Sequence, residues 1–372
     1  MIEYDIAIIG AGPAGCAAAR ECSLRGLRVV IIEKKKIPRH KACSGILIPD
    51  SINTLSKHFG NLPHDVMAVP SHINVMRMHF PRGNIGDIPI NGLMIRRDKF
   101  DAWLCGVSGA EVLDGTKMQS FSEKRDGVDL RCVKQTGETL AIHSKIVIAS
   151  DGGSSNMVKK IDPSLKEKLP WYVALQNTYA CECNLEPGYF HFFAVPQISS
   201  YTSAYMKDEL LIMEVVVKRG EKASVAMDRF KEYLWRRIDI EEARLVRQLG
   251  CSITYAAPRG IFCFGTDRVL VAGEASGLLN FFGEGISSAL ASGIIAGNVA
   301  SNSIQKNIMP GPLYLQEIEK EKRKTISTFN YMKLLFKGGG AFNFRKGFKT
   351  LKWSKRALLC KNFFIWLLTL KK

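Results

Sequence analysis

Apolar residues run together after Asp5 as far as Ile9, through Val29 to Ile32 and through Val269 to Ala272, each run short and bounded by turn residues, as in strands buried on both faces. A different texture lies between them. Ile73 to Phe80, the turn Pro81-Arg82-Gly83-Asn84 and Ile85 to Ile90 predict a hairpin. Tyr189 to Val195, Tyr201 to Met206 and Leu210 to Val217 predict further antiparallel strands, with turns at Pro196 and Lys218-Arg219-Gly220. An amphipathic helix is expected over Ala223 to Ile238 and a small-residue helix over Ser287 to Ala300. Pro310-Gly311-Pro312 then marks the passage to a mainly helical end. The pattern is α/β, with strand-rich stretches over 61–95 and 161–255 set between segments 1–60, 96–160 and 256–308, and a helical region over 309–372.

Composition sharpens this picture at its end. The 372 residues are 46% hydrophobic, enough to bury a sizeable core in two or three units. The formal charge of +17 is uneven: from Lys322 onward there are fourteen Lys and Arg and no Asp or Glu, which leaves +3 for everything before. These cations alternate with Phe329, Phe336, Phe342, Phe348, Trp353 and Trp366 among other aromatics, a mixture suited to an anionic bilayer surface. A terminal helical cap with solvated charges is the plainer reading. RNA would accept the same composition, but no nucleic-acid fold signature accompanies it, so no nucleic-acid partner is expected. The apolar stretch near Phe363 to Leu370 is far shorter than the ~20 residues of a membrane span. The expectation is a cytoplasmic protein, peripheral on the inner face of the membrane.

Ten cysteines show no repeated metal spacing, so free thiols and no metal are expected. Cys181 and Cys183 alternate in a strand and share one face, and they are read as structural.

The sharpest chemical signal follows the first strand. Gly10-Ala11-Gly12-Pro13-Ala14-Gly15 opens a helix, and Glu33 closes the next strand. Gly10 permits the tight turn, Gly12 lets backbone approach a pyrophosphate, and Gly15 allows close helix-to-strand packing. The pyrophosphate would rest on the helix N-terminus, with Glu33 accepting hydrogen bonds from the adenosine ribose. The chain is expected to bind a dinucleotide.

Two further segments, Ile146 to Ser155 with Asp151-Gly152, and Gly273-Glu274 followed by Gly283-Glu284-Gly285-Ile286, complete a set of three motifs in order. Together they resemble the flavoprotein group that includes geranylgeranyl reductases and aromatic hydroxylases. That resemblance implies FAD as cofactor and a Rossmann-like FAD-binding domain interleaved with an antiparallel-sheet substrate domain, plus the helical basic C-terminal region. It places Gly10, Gly12, Ala14, Gly15, Glu33, Asp151, Gly152, Gly273, Glu274, Gly283, Gly285 and Ile286 at the cofactor. The third motif departs from the usual Gly-Asp, since Glu274 keeps the charge but adds a methylene. Glycines before the small-residue helix would let its positive end face the flavin's pyrimidine edge.

Pro38-Arg39-His40-Lys41-Ala42-Cys43-Ser44-Gly45 resembles the loop that lies close to flavin in geranylgeranyl reductases. It implies that Arg39 and Cys43 approach the cofactor and that Cys43 is a candidate proton donor or substrate contact, or else a buried inert thiol. Arg96-Arg97-Asp98-Lys99-Phe100-Asp101 resembles a helix start that brings Arg97 to FAD, the plainer alternative being an ion pair with Asp98 or Asp101. Tyr201-Thr202-Ser203-Ala204-Tyr205-Met206 is similar to the family's Tyr-x-Trp-x-Phe-Pro, which makes Tyr201 a second candidate catalytic residue and leaves Ser203 where a ring is usual, so an enlarged or reshaped pocket is expected there. The resemblance implies reduction of carbon–carbon double bonds in an isoprenoid or related lipid by hydride transfer from reduced flavin. The electron donor is left open among NAD(P)H, a ferredoxin and a quinol. The rival functions are an FAD-dependent monooxygenase and an electron-carrying flavoprotein docked at a membrane.

Overall fold

The computed structural model describes residues 1–80 and 85–335. The predicted turn at 81–84 and most of the basic tail, 336–372, lie outside the described residues. The chain opens with β1 (Ile2–Ile9), α1 (Pro13–Ser23), β2 (Val29–Ile32), β3 (Ile46–Leu47) and α2 (Pro49–Phe59). The hairpin strands β4 (Met67–His79) and β5 (Ile85–Ile95) lead to α3 (Arg97–Gly106), then β6 (Glu111–Leu113), β7 (Thr116–Glu123), β8 (Val128–Lys134) and β9 (Thr139–Ala149). Two short helices, α4 (Asn156–Ile161) and α5 (Leu165–Lys168), precede β10 (Trp171–Cys183), β11 (Tyr189–Phe193), β12 (Tyr201–Lys207) and β13 (Leu210–Lys218). The chain continues through α6 (Ala223–Trp235), β14 (Ile240–Thr254), β15 (Val269–Val271), α7 (Ile286–Lys306) and α8 (Pro310–Leu335).

The strands form two sheets. In the first, β6, β2, β1 and β9 lie side by side in parallel, β15 joins the C-terminal half of β9, and the β7–β8 hairpin pairs antiparallel with its N-terminal half. The apolar runs of β1 and β2 are buried on both faces because helices cover one side and a second apolar layer covers the other. The second sheet has the order β14-β10-β13-β12-β11-β4-β5-β3 and is antiparallel except at β11–β4, which run parallel. One of its faces packs on α6 through Met213, Val215 and Phe230, and the other holds Tyr205, Phe190 and Ile212.

Two helices differ in extent from the expected ones, and two long strands were not expected. The helix at 223 ends at Trp235, a turn early, as Leu234 accepts from the backbone of Arg237 and Ile238 before the chain enters β14. Helix α7 runs on to Lys306 and is closed by Asn307 in the left-handed conformation. Strands β10 and β14 carried no clean alternation. Gln176, Asn177 and Thr178 of β10 are polar yet buried, and β14 is an exposed edge strand bearing helix-favouring Glu, Ala, Leu and Gln. Their mutual pairing, from Trp171–Thr254 to Cys183–Ile240, overrides local preference.

What brings α1 and α7 together is the absence of side chains. A Cβ on Gly293 would lie 2.2 Å from the carbonyl oxygen of Ala14, and one on Gly297 would lie 2.7 Å from that of Ala18. Helices in such contact cannot move apart without losing the packing of the core behind them. Gly293→Ala should therefore destabilise the fold by about 1–3 kcal/mol or more. Gly106→Ala, at an exposed helix end where a new Cβ meets nothing within 4 Å, should stabilise it by about 0.4–1 kcal/mol. Urea denaturation of the two variants checks both signs, and equal effects would show that the close approach is not what limits Gly293.

Candidate active site

The first strand ends on a turn whose geometry only glycine meets. Gly10 has φ +107°, and a Cβ there would sit 2.6 Å from the Ser150 carbonyl oxygen. Ser150 holds the turn by donating from Oγ to the carbonyls of Ile9 (3.0 Å) and Gly10 (3.1 Å). Gly15 packs so tightly that a Cβ would come within 2.0 Å of the Gly10 carbonyl oxygen; it does not line the cleft and acts by packing. Gly12 is the opposite case. It is the N-cap of α1, no side chain caps it, and a Cβ would point into open space. Gly152, φ +80°, likewise meets nothing within 4 Å.

That open space is one cleft of about 580 Å³ between the two sheets. Gly10, Gly12, Ala14, Glu33, Arg39, Cys43, Arg97, Asp151, Gly152, Tyr201, Gly273, Glu274, Gly283, Gly285 and Ile286 all line it. Residues drawn from positions 10 to 286 thus converge on one surface.

A buried ionic cluster fixes its floor. Arg97 donates from Nε and Nη2 to the two oxygens of Asp101, both at 3.0 Å, so the plainer expectation of an ion pair holds and Arg97 reaches the cleft at the same time. Arg39 donates to Asp101 Oδ2 (3.0 Å) and to the Ala11 carbonyl (3.3 Å), and lies 3.4 Å from Glu33 Oε2. Glu33 accepts from the backbone N–H of Ala11 and of Lys35, both at 3.0 Å. The acid at the end of β2 therefore anchors the glycine loop as well as facing the cleft.

In the third motif, Gly273 (φ +68°) lies over Ala14, and the longer Glu274 side chain extends toward Gly153, where a Cβ would be 2.3 Å from Oε1. Burial pushes the Glu274 carboxyl up. The N-terminus of α7 is not bare. Glu284 Oε1 accepts from the Ser287 backbone N–H (2.8 Å) and hydroxyl (3.1 Å), so a carboxylate already takes part of the positive end expected to face a flavin.

Three buried polar atoms in the lining have no partner: Arg39 Nε, Asp151 Oδ1 and Glu274 Oε1. Burial also raises the Asp151 carboxyl, whose other oxygen accepts from the Asn156 N–H at 2.7 Å. An unpaired buried polar group costs about 1–3 kcal/mol, so three in one cleft point to a ligand with hydroxyls and acceptors of its own. A pyrophosphate over Gly12 and the α1 N-terminus, with a polyol reaching Asp151 and Glu274, meets that demand. The residues fit FAD.

At the other end of the cleft, Cys43 lies in contact with Arg97, and Tyr201 stacks edge-on with Phe192. Lys207 donates to the Ser44 (3.0 Å) and Ile95 (2.6 Å) carbonyls and fixes the Cys43 loop to β12. Ser203 does not itself line the cleft. It is fully buried, and its hydroxyl donates to Glu214 at 2.9 Å. Glu214 and Gln176 also line the cleft without having been expected there, although a lone acid within the apolar run Leu210 to Val217 is a visible signal.

Fold and site together define an FAD-dependent oxidoreductase of the Rossmann-like class. A family model described as FAD dependent oxidoreductase matches residues 5–58. The chain is 25% identical over 326 residues to digeranylgeranylglycerophospholipid reductase 1 of Methanosphaera stadtmanae, covering 82% of this chain and 77% of that one. It is 27% identical over 311 residues to geranylgeranyl diphosphate reductase of Rhodobacter capsulatus, covering 80% and 75%. The crystal structure of a geranylgeranyl bacteriochlorophyll reductase-like protein from Thermoplasma acidophilum superposes with a TM-score of 0.77 at 20% identity, over 89% of this chain and 86% of that one. The chain is an FAD-dependent oxidoreductase that is similar to geranylgeranyl reductases.

Two substitutions test the site. Gly12→Val should give a folded protein that releases no FAD on denaturation, read from flavin absorbance, because the new side chain fills the phosphate position. Asp101→Asn leaves two guanidinium groups short of one charge in a buried setting and should cost about 3–5 kcal/mol of stability in urea denaturation. A loss below about 1 kcal/mol would place that cluster with solvated surface pairs.

Proposed function

We propose that this protein reduces carbon–carbon double bonds in the isoprenoid chain of a lipid. The observation that carries the reading is the continuity of the cleft: the three unpartnered polar atoms and the glycine cradle open directly onto a region lined by Cys43, Tyr201, Leu175, Val216, Leu249 and Phe282. Such a lining accepts an apolar chain beside a redox cofactor. The names of the two curated relatives, both geranylgeranyl-lipid or geranylgeranyl diphosphate reductases, support the same substrate class. When bound, FAD supplies a hydride equivalent to one alkene carbon. The chain's own residues do the rest: Gly12 and α1 hold the pyrophosphate, Arg39 and Arg97 fix the loop of Cys43, and Cys43 and Tyr201 position the alkene. Mass spectrometry of lipids from cells with and without the protein should show the mass increase of added hydrogen. Hydroxylated products would favour the monooxygenase reading, and an unchanged lipid profile would favour an electron carrier.

We also propose that the enzyme works at a membrane surface. No described helix is long and apolar enough to cross a membrane. Helix α8, which leads into the basic region, packs Phe329 against Tyr255 and Phe281, and Tyr255 lines the cleft. The tail thus begins beside the pocket that would take a lipid chain. Each Lys or Arg that reaches an anionic surface contributes about 1 kcal/mol. Binding to anionic liposomes should fall steeply from low to high salt, and removal of residues 340–372 should release the protein with its flavin spectrum intact. Full sedimentation of the truncated protein would rule the tail out as anchor.

A further inference from the structure

We propose that Glu214 is the acid that delivers a proton to the substrate, because its carboxyl lines the cleft with Cys43 and Tyr201 and is held there by three neutral hydrogen-bond partners. This rests on the reading of the reaction as alkene reduction. Strand β13 reads Leu-Leu-Ile-Met-Glu-Val-Val-Val-Lys, a single carboxylate in an apolar run. Its neighbours Met213 and Val215 point into the core under α6, so the two-residue period of the strand turns Glu214 to the opposite face, with Val216 beside it on the cleft.

The carboxyl is held on both oxygens. Oε2 accepts from the Ser203 hydroxyl at 2.9 Å; Oε1 accepts from the Gln176 amide at 2.7 Å and from the Tyr205 hydroxyl at 3.1 Å. Both hydroxyls can rotate from donor to acceptor, so the same cage serves a carboxylic acid and a carboxylate without moving a heavy atom. A proton donor that must be reloaded in each cycle requires that property. Burial pushes the Glu214 carboxyl up, toward the range where it holds its proton.

The titratable groups facing it are Tyr201 and Tyr205 from β12, Lys207 at the end of that strand, and Cys251 from β14. Burial, with Glu214 itself, holds both phenols well above their usual range, which leaves them poor donors at neutral pH. Burial lowers Lys207, whose ammonium group donates to the carbonyls of Ser44 and Ile95. In the step, the Glu214 O–H bond breaks and a C–H bond forms at one alkene carbon. The two electrons arrive with the hydride equivalent at the other carbon, the π bond is lost, and Glu214 remains as a carboxylate until water returns its proton. A two-electron donor such as a dihydronicotinamide restores the reduced state.

Infrared spectra of the FAD-loaded protein at neutral pH should contain a protonated-carboxyl carbonyl band that is missing from Glu214→Gln, with equal flavin content. Turnover of a prenylated glycerophospholipid by chemically reduced enzyme should fall about 10²-fold or more in Glu214→Gln. The wild-type rate should decline as pH rises through the raised pKa of Glu214. That limb should vanish in Glu214→Gln and persist in a slower Glu214→Asp, which also carries the test if the glutamine variant fails to fold. Absence of the band, or a glutamine variant with wild-type rate and pH profile, overturns the assignment. A wild-type enzyme that reduces no prenylated lipid overturns the substrate reading and the donor role with it, while the band still reports separately whether Glu214 holds a proton.

Discussion

One carboxylate holds two cations in place where the parts of this molecule meet. Asp101, 1% exposed, accepts from Arg39 and from both arms of Arg97. Arg39 in turn reaches Glu33 and the carbonyl of Ala11. Four elements are tied by this cluster: the glycine loop, the end of β2, the Cys43 loop, and α3 at the exit of the hairpin from the second sheet. Burying such charges is costly unless each is paired and hydrogen-bonded, and here two acids balance two bases. The arrangement specifies where the sheets stand relative to each other rather than adding much net stability.

The cleft follows from that placement. Close glycine contacts pull α1 against α7 and against the turn after β9, while the second sheet is held at a distance by the Cys43 loop and Lys207. The space left is polar at the cradle, with Arg39 Nε, Asp151 Oδ1 and Glu274 Oε1 unpartnered, and more apolar beyond Cys43. A molecule that carries charge and hydroxyls at one end and a flat redox group at the other meets both requirements.

Two departures from the family's motifs bear on buried carboxylates in this site. Ser203, where the family resemblance leads to a ring, is small enough to admit Glu214 and donates to it. Glu274 keeps a charge in the third motif but carries it farther, over Gly153. Both acids are raised by burial, so both hold protons more readily than a solvated glutamate.

The chain by itself determined the FAD-binding half, because the features that matter there are local. A glycine at φ +107°, an apolar run ending in Glu33 and small residues along α7 follow from backbone and spacing, and they are legible without a partner in view. Strands β10 and β14 were hidden, since buried polar residues in one and an exposed edge in the other break the periodicity that reveals a strand. The pairing of Asp101 with Arg97 was among the sequence's alternatives, but its second partner Arg39 and the roles of Gln176 and Glu214 were decided by tertiary structure. A charged side chain in a sequence is by default a solvated one, and only the approach of Arg39, Ser203 and Tyr205 from distant positions removes the water and turns these groups into parts of a site.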